Sequence, residues 1–483
     1  MILFFDINTF CELLLTAFLQ PGDIIMTAKS ITHTMLANTM MAKYEFFSLD
    51  DSREFYIYSD GVYTNEGSEL RMERMVRECY HELFMRMSEE GRAKIPIDAK
   101  SYHVSETLKL LRAEHAITRE ELDKAQLKSG LLNFKNCMVK INNGEILSHS
   151  GKYRLIRQFP FNFNPDAKCP CVDKFLYEAV SPKDKALLLE ITGYYMIPDT
   201  SIQKAIMVYG PPGTGKSIFL NLLGEFIGKK NCSYKSLQQL EEDKYATSGL
   251  YGKLVNIFAD LRDGLMNHDS TFKSIVGGDR MPAERKYEHP FEFENSARLI
   301  FSANHENLPW IKTGDKAFYR RWILVSFPHV HIGKENKEDI RLIQKLTTPE
   351  ELAGLANIAI DALRKVIKQR GFTYDKTIEE IEKEYTTYSS SAHTFAGTQL
   401  QNADTDCAKT VMYEMYCAWA IKQGITPVAS TSFSKAMKHM GHEDGRQSTG
   451  DRTYVWKAVS ATEELEETHA EYLINKNKLP SGE

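Results

Sequence analysis

One short run constrains this chain more than any other. Gly210-Pro211-Pro212-Gly213-Thr214-Gly215-Lys216-Ser217 satisfies the pattern G-x-x-x-x-G-K-[ST]. The residues on either side supply the context that the pattern needs. Ala205-Ile206-Met207-Val208-Tyr209 is an apolar run suited to a buried strand. Ile218, Leu220, Leu222, Leu223, Phe226 and Ile227 recur at helical spacing and stop at Gly228. A strand, a glycine-rich loop and a helix in that order form a phosphate cradle. The glycines let backbone N–H groups turn inward, and the helix N-terminus adds its dipole. Lys216 is then expected on the β- and γ-phosphates, and the Ser217 hydroxyl on Mg²⁺. No Asn-Lys-x-Asp run for guanine follows, so ATP is the expected nucleotide.

A phosphate loop needs an acid for the metal. Lys253-Leu254-Val255-Asn256-Ile257-Phe258-Ala259-Asp260 reads as a strand ending in one, with Asp263 as the rival carboxylate. A third strand, Ala297-Arg298-Leu299-Ile300-Phe301-Ser302, runs into Ala303-Asn304. A polar residue there can sit between the acid and the γ-phosphate and orient the attacking water. Lys216 to Asp260 and Asp260 to Asn304 each span 44 positions (260 − 216 and 304 − 260). Arg320 and Arg321 follow, Arg321 lying 17 positions past Asn304 (321 − 304). In a ring, such an arginine can reach into the neighbouring subunit's site; fingers of this kind add about 10³–10⁵ in rate.

Length and composition bound the rest. With 483 residues the chain has room for about three domains. The formal net charge is −5, so bulk charge gives no support for nucleic-acid binding, and any basic surface must be local. Eight cysteines are scattered, and the close pair Cys169 and Cys171 lacks zinc spacing; reduced thiols are expected. The apolar stretch Leu13 to Leu19 is too short to span a bilayer and lacks a basic leader. A cytoplasmic chain without a membrane partner is the expectation. Strand-and-turn patches are expected around Asp60-Gly61 and Asn143-Gly144, helices over 67–125 and 172–196, and another helix packed through Leu352, Leu355, Ala356, Ala359, Leu363, Val366 and Ile367.

Taken together, these residues resemble the superfamily 3 helicases, within them the phage and plasmid primase–helicase family with its poxvirus relatives. The resemblance rests on Gly252 to Leu261, on Phe272-Lys273-Ser274-Ile275-Val276-Gly277-Gly278-Asp279 continuing to Ala283-Glu284-Arg285-Lys286-Tyr287, on Phe301 to Asn304, and on Phe318-Tyr319-Arg320-Arg321-Trp322. Weaker pieces are Leu131-Leu132-Asn133, Phe163 to Pro170 and Thr192-Gly193-Tyr194-Tyr195. Tyr413, Tyr416, Trp419, Phe433 and Arg452 to Trp456 resemble the family's C-terminal winged helix. The resemblance spans roughly residues 44 to 460.

It implies an α/β P-loop NTPase (AAA+-like) core with a preceding mostly helical α+β domain and a C-terminal winged helix. It also implies a homo-hexamer that unwinds DNA by translocating on one strand, with a separate primase or polymerase as partner. The domain layout that follows is 1–43, an N-terminal helical segment; 44–200, the helical domain; 201–372, the ATPase; 373–405, a linker helix; 406–460, the winged helix; and 461–483, an acidic tail expected to be disordered. In the family, the segment between acid and sensor carries a pore-lining hairpin, which here would include Arg285 and Lys286; a solvated surface pair is the bland alternative. No room is seen for the family's primase domain, so no primer synthesis is expected.

In the C-terminal module, 407–423 and 431–442 read as helices, the second capped by Thr431 or Ser432 and presenting Lys435 and Lys438. Arg452 falls in the wing. A duplex-DNA surface and a protein-docking surface remain open there, since Glu443, Asp444 and Asp451 dilute the charge. Two further functions stand beside the helicase: a P-loop ATPase that remodels or loads replication proteins, and a nucleotide-gated origin-binding protein.

Overall fold

The structure is a computed structural model that describes residues 30–52, 54–87, 89–261, 265–266, 269–286, 290–304, 308–311, 315–330, 341–423, 425–446 and 453–478. The chain divides into two compact units, 1–122 and 123–483. This boundary falls inside the 44–200 domain expected from sequence.

In the first unit, Thr32 caps α1 (His33–Lys43) by accepting the Met35 N–H. A four-stranded sheet follows in the order β3-β2-β1-β4. It is built from β1 (Phe46–Leu49), β2 (Phe55–Ser59), β3 (Val62–Thr64) and β4 (Ala116–Ile117). Asp60 and Gly61 turn the β2–β3 hairpin with φ of 52° and 84°, the two positive angles that a tight hairpin turn requires. Helices α2 (Ser68–Met85) and α3 (Ser101–Glu114) pack with α1 on a core that includes Leu36, Met40, Phe55, Met72, Val76 and Leu111.

The second unit opens with a small antiparallel sheet, β5 (Leu131–Asn133), β6 (Met138–Lys140) and β7 (Ile146–Leu147), turning at Gly144. Helices α4 (Pro170–Ala179) and α5 (Pro182–Tyr194) follow, each opening on proline, whose missing N–H costs nothing in a first turn. Then the chain alternates. It runs through β8 (Ala205–Tyr209), α6 (Lys216–Ile227), β9 (Cys232–Ser233), β10 (Val255–Phe258), α7 (Ser270–Gly277), a hairpin of β11 (Arg280–Ala283) and β12 (Phe291–Glu294), β13 (Arg298–Ala303), α8 (Lys316–Tyr319) and β14 (Trp322–Ser326). Five of these strands form one parallel sheet in the order β14-β8-β13-β10-β9.

Strand residues are apolar on both faces because both faces are covered. Ile206, Val208, Ile257, Ile300, Ile323 and Val325 face one core, which α4, α5, α6 and the long α9 (Pro349–Gln369) complete. The alternate residues Met207, Leu299, Phe301, Trp322 and Leu324 face a second core with Phe272 and Phe318. Helices α5 and α9 cross closely at Gly193, where a Cβ would lie 2.2 Å from the Ala359 carbonyl oxygen. Buried Glu351, in the first turn of α9, accepts the backbone N–H groups of Cys171 (3.0 Å) and Val172 (2.9 Å), and so caps α4.

The C-terminal part differs from the expected layout at three places. Residues 373–388 are no solvated linker: α10 (Ile378–Thr387) buries Ile381 and Tyr385 in the second core of the sheet. Charged residues on its outer side masked this pair of apolar positions four apart. Next, α11 (Ser391–Thr398) is buried in a module of its own, with Phe395 at the centre. That module continues through β15 (Leu400–Asn402), β16 (Cys407–Ala408), α12 (Lys409–Lys422), α13 (Ser430–His439), β17 (Asp444–Arg446), β18 (Tyr454–Trp456), β19 (Val459–Ala461) and α14 (Glu463–Lys478). Strands β16, β18 and β17 form a three-stranded antiparallel sheet in that order. Finally, the segment expected to be a disordered tail is helical over α14, with Leu465 fully buried and Thr468 and His469 beside it. Thr468 accepts a hydrogen bond from Lys422 of α12. The residue before α13 is Ala429, and no side chain caps that helix; Thr431 and Ser432 lie inside it. Among the described residues, no helix is long and apolar enough to cross a membrane.

Candidate nucleotide site and nucleic-acid surfaces

The site is assembled where the central strands end. The loop leaves β8 at Gly210, whose φ is 154° and whose Cβ, if it had one, would lie 2.2 Å from the Phe327 carbonyl oxygen. No larger residue fits against the extension of β14 at this point. Gly213 and Gly215 adopt left-handed φ of 77° and 91°, which bends the loop back over the N-terminus of α6. A Cβ on Gly215 would press on the ring of Phe175 at 3.0 Å, so α4 forms the floor of the loop. The Thr214 hydroxyl closes the turn onto the Pro211 carbonyl at 3.0 Å.

Lys216 is buried, at 4% exposure, and its Nζ donates to the carbonyls of Gly210 and Pro211, both at 2.7 Å. Burial lowers its pKa to about 8, and the charge of Asp260 opposes that shift. A cation that is desolvated and bonded to loop carbonyls suits an anionic ligand that can replace them. Ser217, next on the helix, is exposed.

Asp260 follows β10 with φ of 53°, an angle that a non-glycine residue adopts only under constraint. Its N–H donates to the Ser302 hydroxyl at 3.1 Å, and the Leu261 N–H to the Ser302 carbonyl at 2.8 Å, so β13 holds the turn. The carboxylate is exposed. Asp263 lies outside the described residues. Half-buried Asn304 follows β13, the strand that lies between β8 and β10. Parallel register sets Ala303 beside Tyr209 and Phe301 beside Phe258. Lys216, Asp260 and Asn304 therefore gather at one edge of the sheet, the carboxyl edge where open α/β sheets bind ligands. Exposed Ser217 and Asp260 are the oxygen donors fit to hold Mg²⁺ there.

Arg320 and Arg321 are not brought to that edge. They precede β14, whose Trp322 pairs with Ala205 at the amino end of β8. At ~3.3 Å per residue this is roughly 17 Å along the strand from Gly210. Arg320 is exposed, and its carbonyl accepts from Lys204 Nζ. Arg321 is half-buried; its Nη1 donates to the Ala317 carbonyl at 2.7 Å, and its buried Nε has no hydrogen-bond partner. Burial, then the neighbouring Arg320, lowers its pKa.

The segment between acid and sensor forms the hairpin β11–β12, with Arg285 and Lys286 where β11 runs out. The Arg285 guanidinium lies 5.2 Å from the centre of the Phe291 ring, and exposed Lys286 5.9 Å from that of Tyr245. On α13, Lys435 and Lys438 are both exposed, and Lys438 meets Asp444 at 3.2 Å. Arg452 lies outside the described residues. Two basic residues that sequence reasoning passed over join this face. Lys409 bonds Asp444 and lies 4.5 Å over the Trp456 ring, and Arg446 stacks on Tyr454 at 4.5 Å. Their signal was alternation: Arg446 and Tyr454 are a cross-strand pair of β17 and β18.

Comparison with known proteins adds the following. Residues 208–321 match a family described as of unknown function, DUF5906, which covers the phosphate loop, the acid, the hairpin, the sensor strand and the arginine pair. Residues 37–181 match a family described as D5 N terminal like. An uncharacterized mitochondrial protein of Marchantia polymorpha, ymf21, is 23% identical over 155 residues, covering 29% of this chain and 86% of that protein. Two apo structures of the NrS-1 C-terminal region each cover 89% of this chain and 100% of their own, at 11% and 12% identity, both with a TM-score of 0.41.

Proposed function

We propose that this chain is an ATP-dependent DNA helicase of replication, an α/β P-loop ATPase that works as a ring. One observation carries the reading: the strand of Asn304 lies between the strand of the phosphate loop and the strand of Asp260. A polar residue ending the middle strand can orient a water between an acid-held metal and a γ-phosphate only in that order. The inward-turning loop and the helix dipole receive the phosphates, and Lys216 exchanges two loop carbonyls for phosphate oxygens. Ser217 and Asp260 would hold Mg²⁺, which would supply neutralisation of charge on the β- and γ-phosphates. Asn304 positions the attacking water.

Placement of Arg320 and Arg321 at the far edge supports their delivery to a second subunit, and so a homo-hexamer. Arg285 and Lys286, at the end of a hairpin strand, suit contact with the phosphates of a single strand in the pore. We read the C-terminal module as a winged helix and assign duplex docking to it through Lys435, Lys438 and Arg452; exposure of both lysines on α13 supports the reading. A separate primase or polymerase completes the reading.

The experiment measures ATP turnover with and without single-stranded DNA. Wild type should hydrolyse ATP and be stimulated. Lys216→Ala should lose turnover, and Asp260→Asn should bind nucleotide without hydrolysing it. Arg285→Ala with Lys286→Ala should keep basal turnover and lose stimulation and unwinding. Turnover that ignores DNA would instead favour the loader of replication proteins.

A further inference from the structure

Helix α10 and the residues flanking it touch the strand of the phosphate loop, the segment beyond Asn304, the helix before the arginine pair and β14, and lead straight into the C-terminal module. Tyr209, the last residue before the phosphate loop, donates its hydroxyl to Glu384 Oε1 at 2.5 Å, and Lys376 Nζ donates to Glu384 Oε2 at 2.5 Å. The Tyr209 ring also packs on Tyr388, with centroids 4.9 Å apart. Beyond Asn304, the Leu308 N–H donates to the Tyr388 carbonyl at 3.1 Å, and the Tyr385 hydroxyl to the Pro309 carbonyl at 2.9 Å. Lys316, on the helix before the arginine pair, pairs with Glu379 at 2.9 Å. The Leu324 N–H of β14 donates to the Tyr374 hydroxyl at 3.1 Å, just before α10. Two residues past Tyr388, Ser390 caps α11, and Ser391 bonds Tyr416 of α12 at 2.8 Å.

We propose that α10 couples the nucleotide site to the C-terminal module, with Glu384 as the positioning residue that reads the phosphate loop through Tyr209. The inference rests on the ATPase reading. Lys216 bonds the Gly210 carbonyl, which belongs to the residue after Tyr209. A phosphate seated in the loop would compete for the same ammonium protons and so release the Gly210 carbonyl. That difference falls one residue from the hydroxyl that Glu384 holds. Contacts that differ between two states are what a coupling requires, and the coupling is reciprocal: whatever the module binds acts back on nucleotide affinity through the same bond.

The full chain is studied by amide hydrogen exchange with and without ATPγS, beside nucleotide affinity and the kcat and KM of turnover. In wild type, nucleotide should slow exchange in 391–398 and 409–422 by about fivefold or more. Tyr209→Phe and Glu384→Gln should leave the nucleotide-free exchange of those segments unchanged and cut the nucleotide-dependent change below about twofold. KM should stay constant while kcat falls. A merely structural α10 would speed exchange in the nucleotide-free variants and keep the nucleotide-dependent change, which would overturn the proposal. Failure of wild type to bind ATPγS would end the ATPase reading and the coupling together. Binding and hydrolysis without any change in 391–422 would end the coupling alone. Tyr209→Phe keeps the ring on Tyr388, so it carries the test if Glu384→Gln does not fold.

Discussion

The carboxyl and amino edges of the five-stranded sheet place charge in opposite ways. At the carboxyl edge, Asp260 and Ser217 are exposed, Asp260 has a left-handed backbone, and Lys216 bonds carbonyls that another ligand can displace. At the amino edge, Arg298 is buried at 4% exposure over the rings of Tyr194 and Tyr195, at 5.3 and 5.2 Å. Its Nη1 donates to the carbonyls of Ile197, Asp199 and Ser296. Burial lowers the Arg298 guanidinium to about 10, against the opposing charge of Asp199. The contrast separates a charge held for structure from charges held for exchange. Arg298 is held through Nη1 by backbone carbonyls that cannot leave, with its buried Nε and Nη2 unbonded, whereas the groups around the phosphate loop can be replaced.

Three measurements test this contrast, beginning with the largest effect. Arg321→Ala should cut turnover by about 10³ or more, with nucleotide binding near wild type. Mixing it with Lys216→Ala protein should restore some activity, because one interface then holds both wild-type residues. No recovery in confirmed mixed rings would mean that the amino edge does not serve a neighbour's site, and Arg320→Ala would then separate the two arginines.

Next, Arg298→Ala should lower unfolding free energy by about 3 kcal/mol, through lost cation–π contact, packing and carbonyl bonds. The check is urea unfolding. Nucleotide affinity of the folded fraction should not change, and a change there would erase the distinction between the edges.

The smallest effect is a pH dependence. Free Lys216 has a depressed pKa of about 8, so above that pH the protein must take up a proton to bind phosphate. Affinity should be full below pH 8 and fall about tenfold per unit above it, until the raised pKa of the complex is exceeded. The unliganded protein should gain stability between pH 8 and 10.5, since the unfolded lysine binds more protons there. Calorimetry in buffers of different ionisation enthalpy reads the proton uptake, and Lys216→Arg should abolish it. An affinity flat from pH 7 to 9 would show Lys216 fully charged in the free protein.

Local pattern alone carried the phosphate loop, because strand, glycines and helix are contiguous and the required backbone angles are written in residue type. The same holds for Asp60-Gly61 and for three of the five sheet strands, β8, β10 and β13, whose apolar runs are buried on both faces; β9 and β14 were not singled out. Asp260 and Asn304 were legible as strand ends, but the sequence could not show that β13 lies between β8 and β10. Sheet order is set by long-range packing, not by neighbours in the chain. Arg285 and Lys286 were legible as a basic pair, and their place at the end of a hairpin strand came from pairing across seven residues, from Ala283 to Phe291. Helix α10 misled for a physical reason. Its Glu and Lys residues describe its solvent side, while Ile381 and Tyr385 gain meaning only when the sheet offers Phe318 and Trp322 to cover. Likewise Leu465 and His469 look like an acidic tail until α12 lies beside them. Sequence determined the chemistry at the ends of the strands, since backbone angle and side-chain type are local properties. Which ends meet, and which helix reports on them, was decided by burial, which depends on residues far apart in the chain.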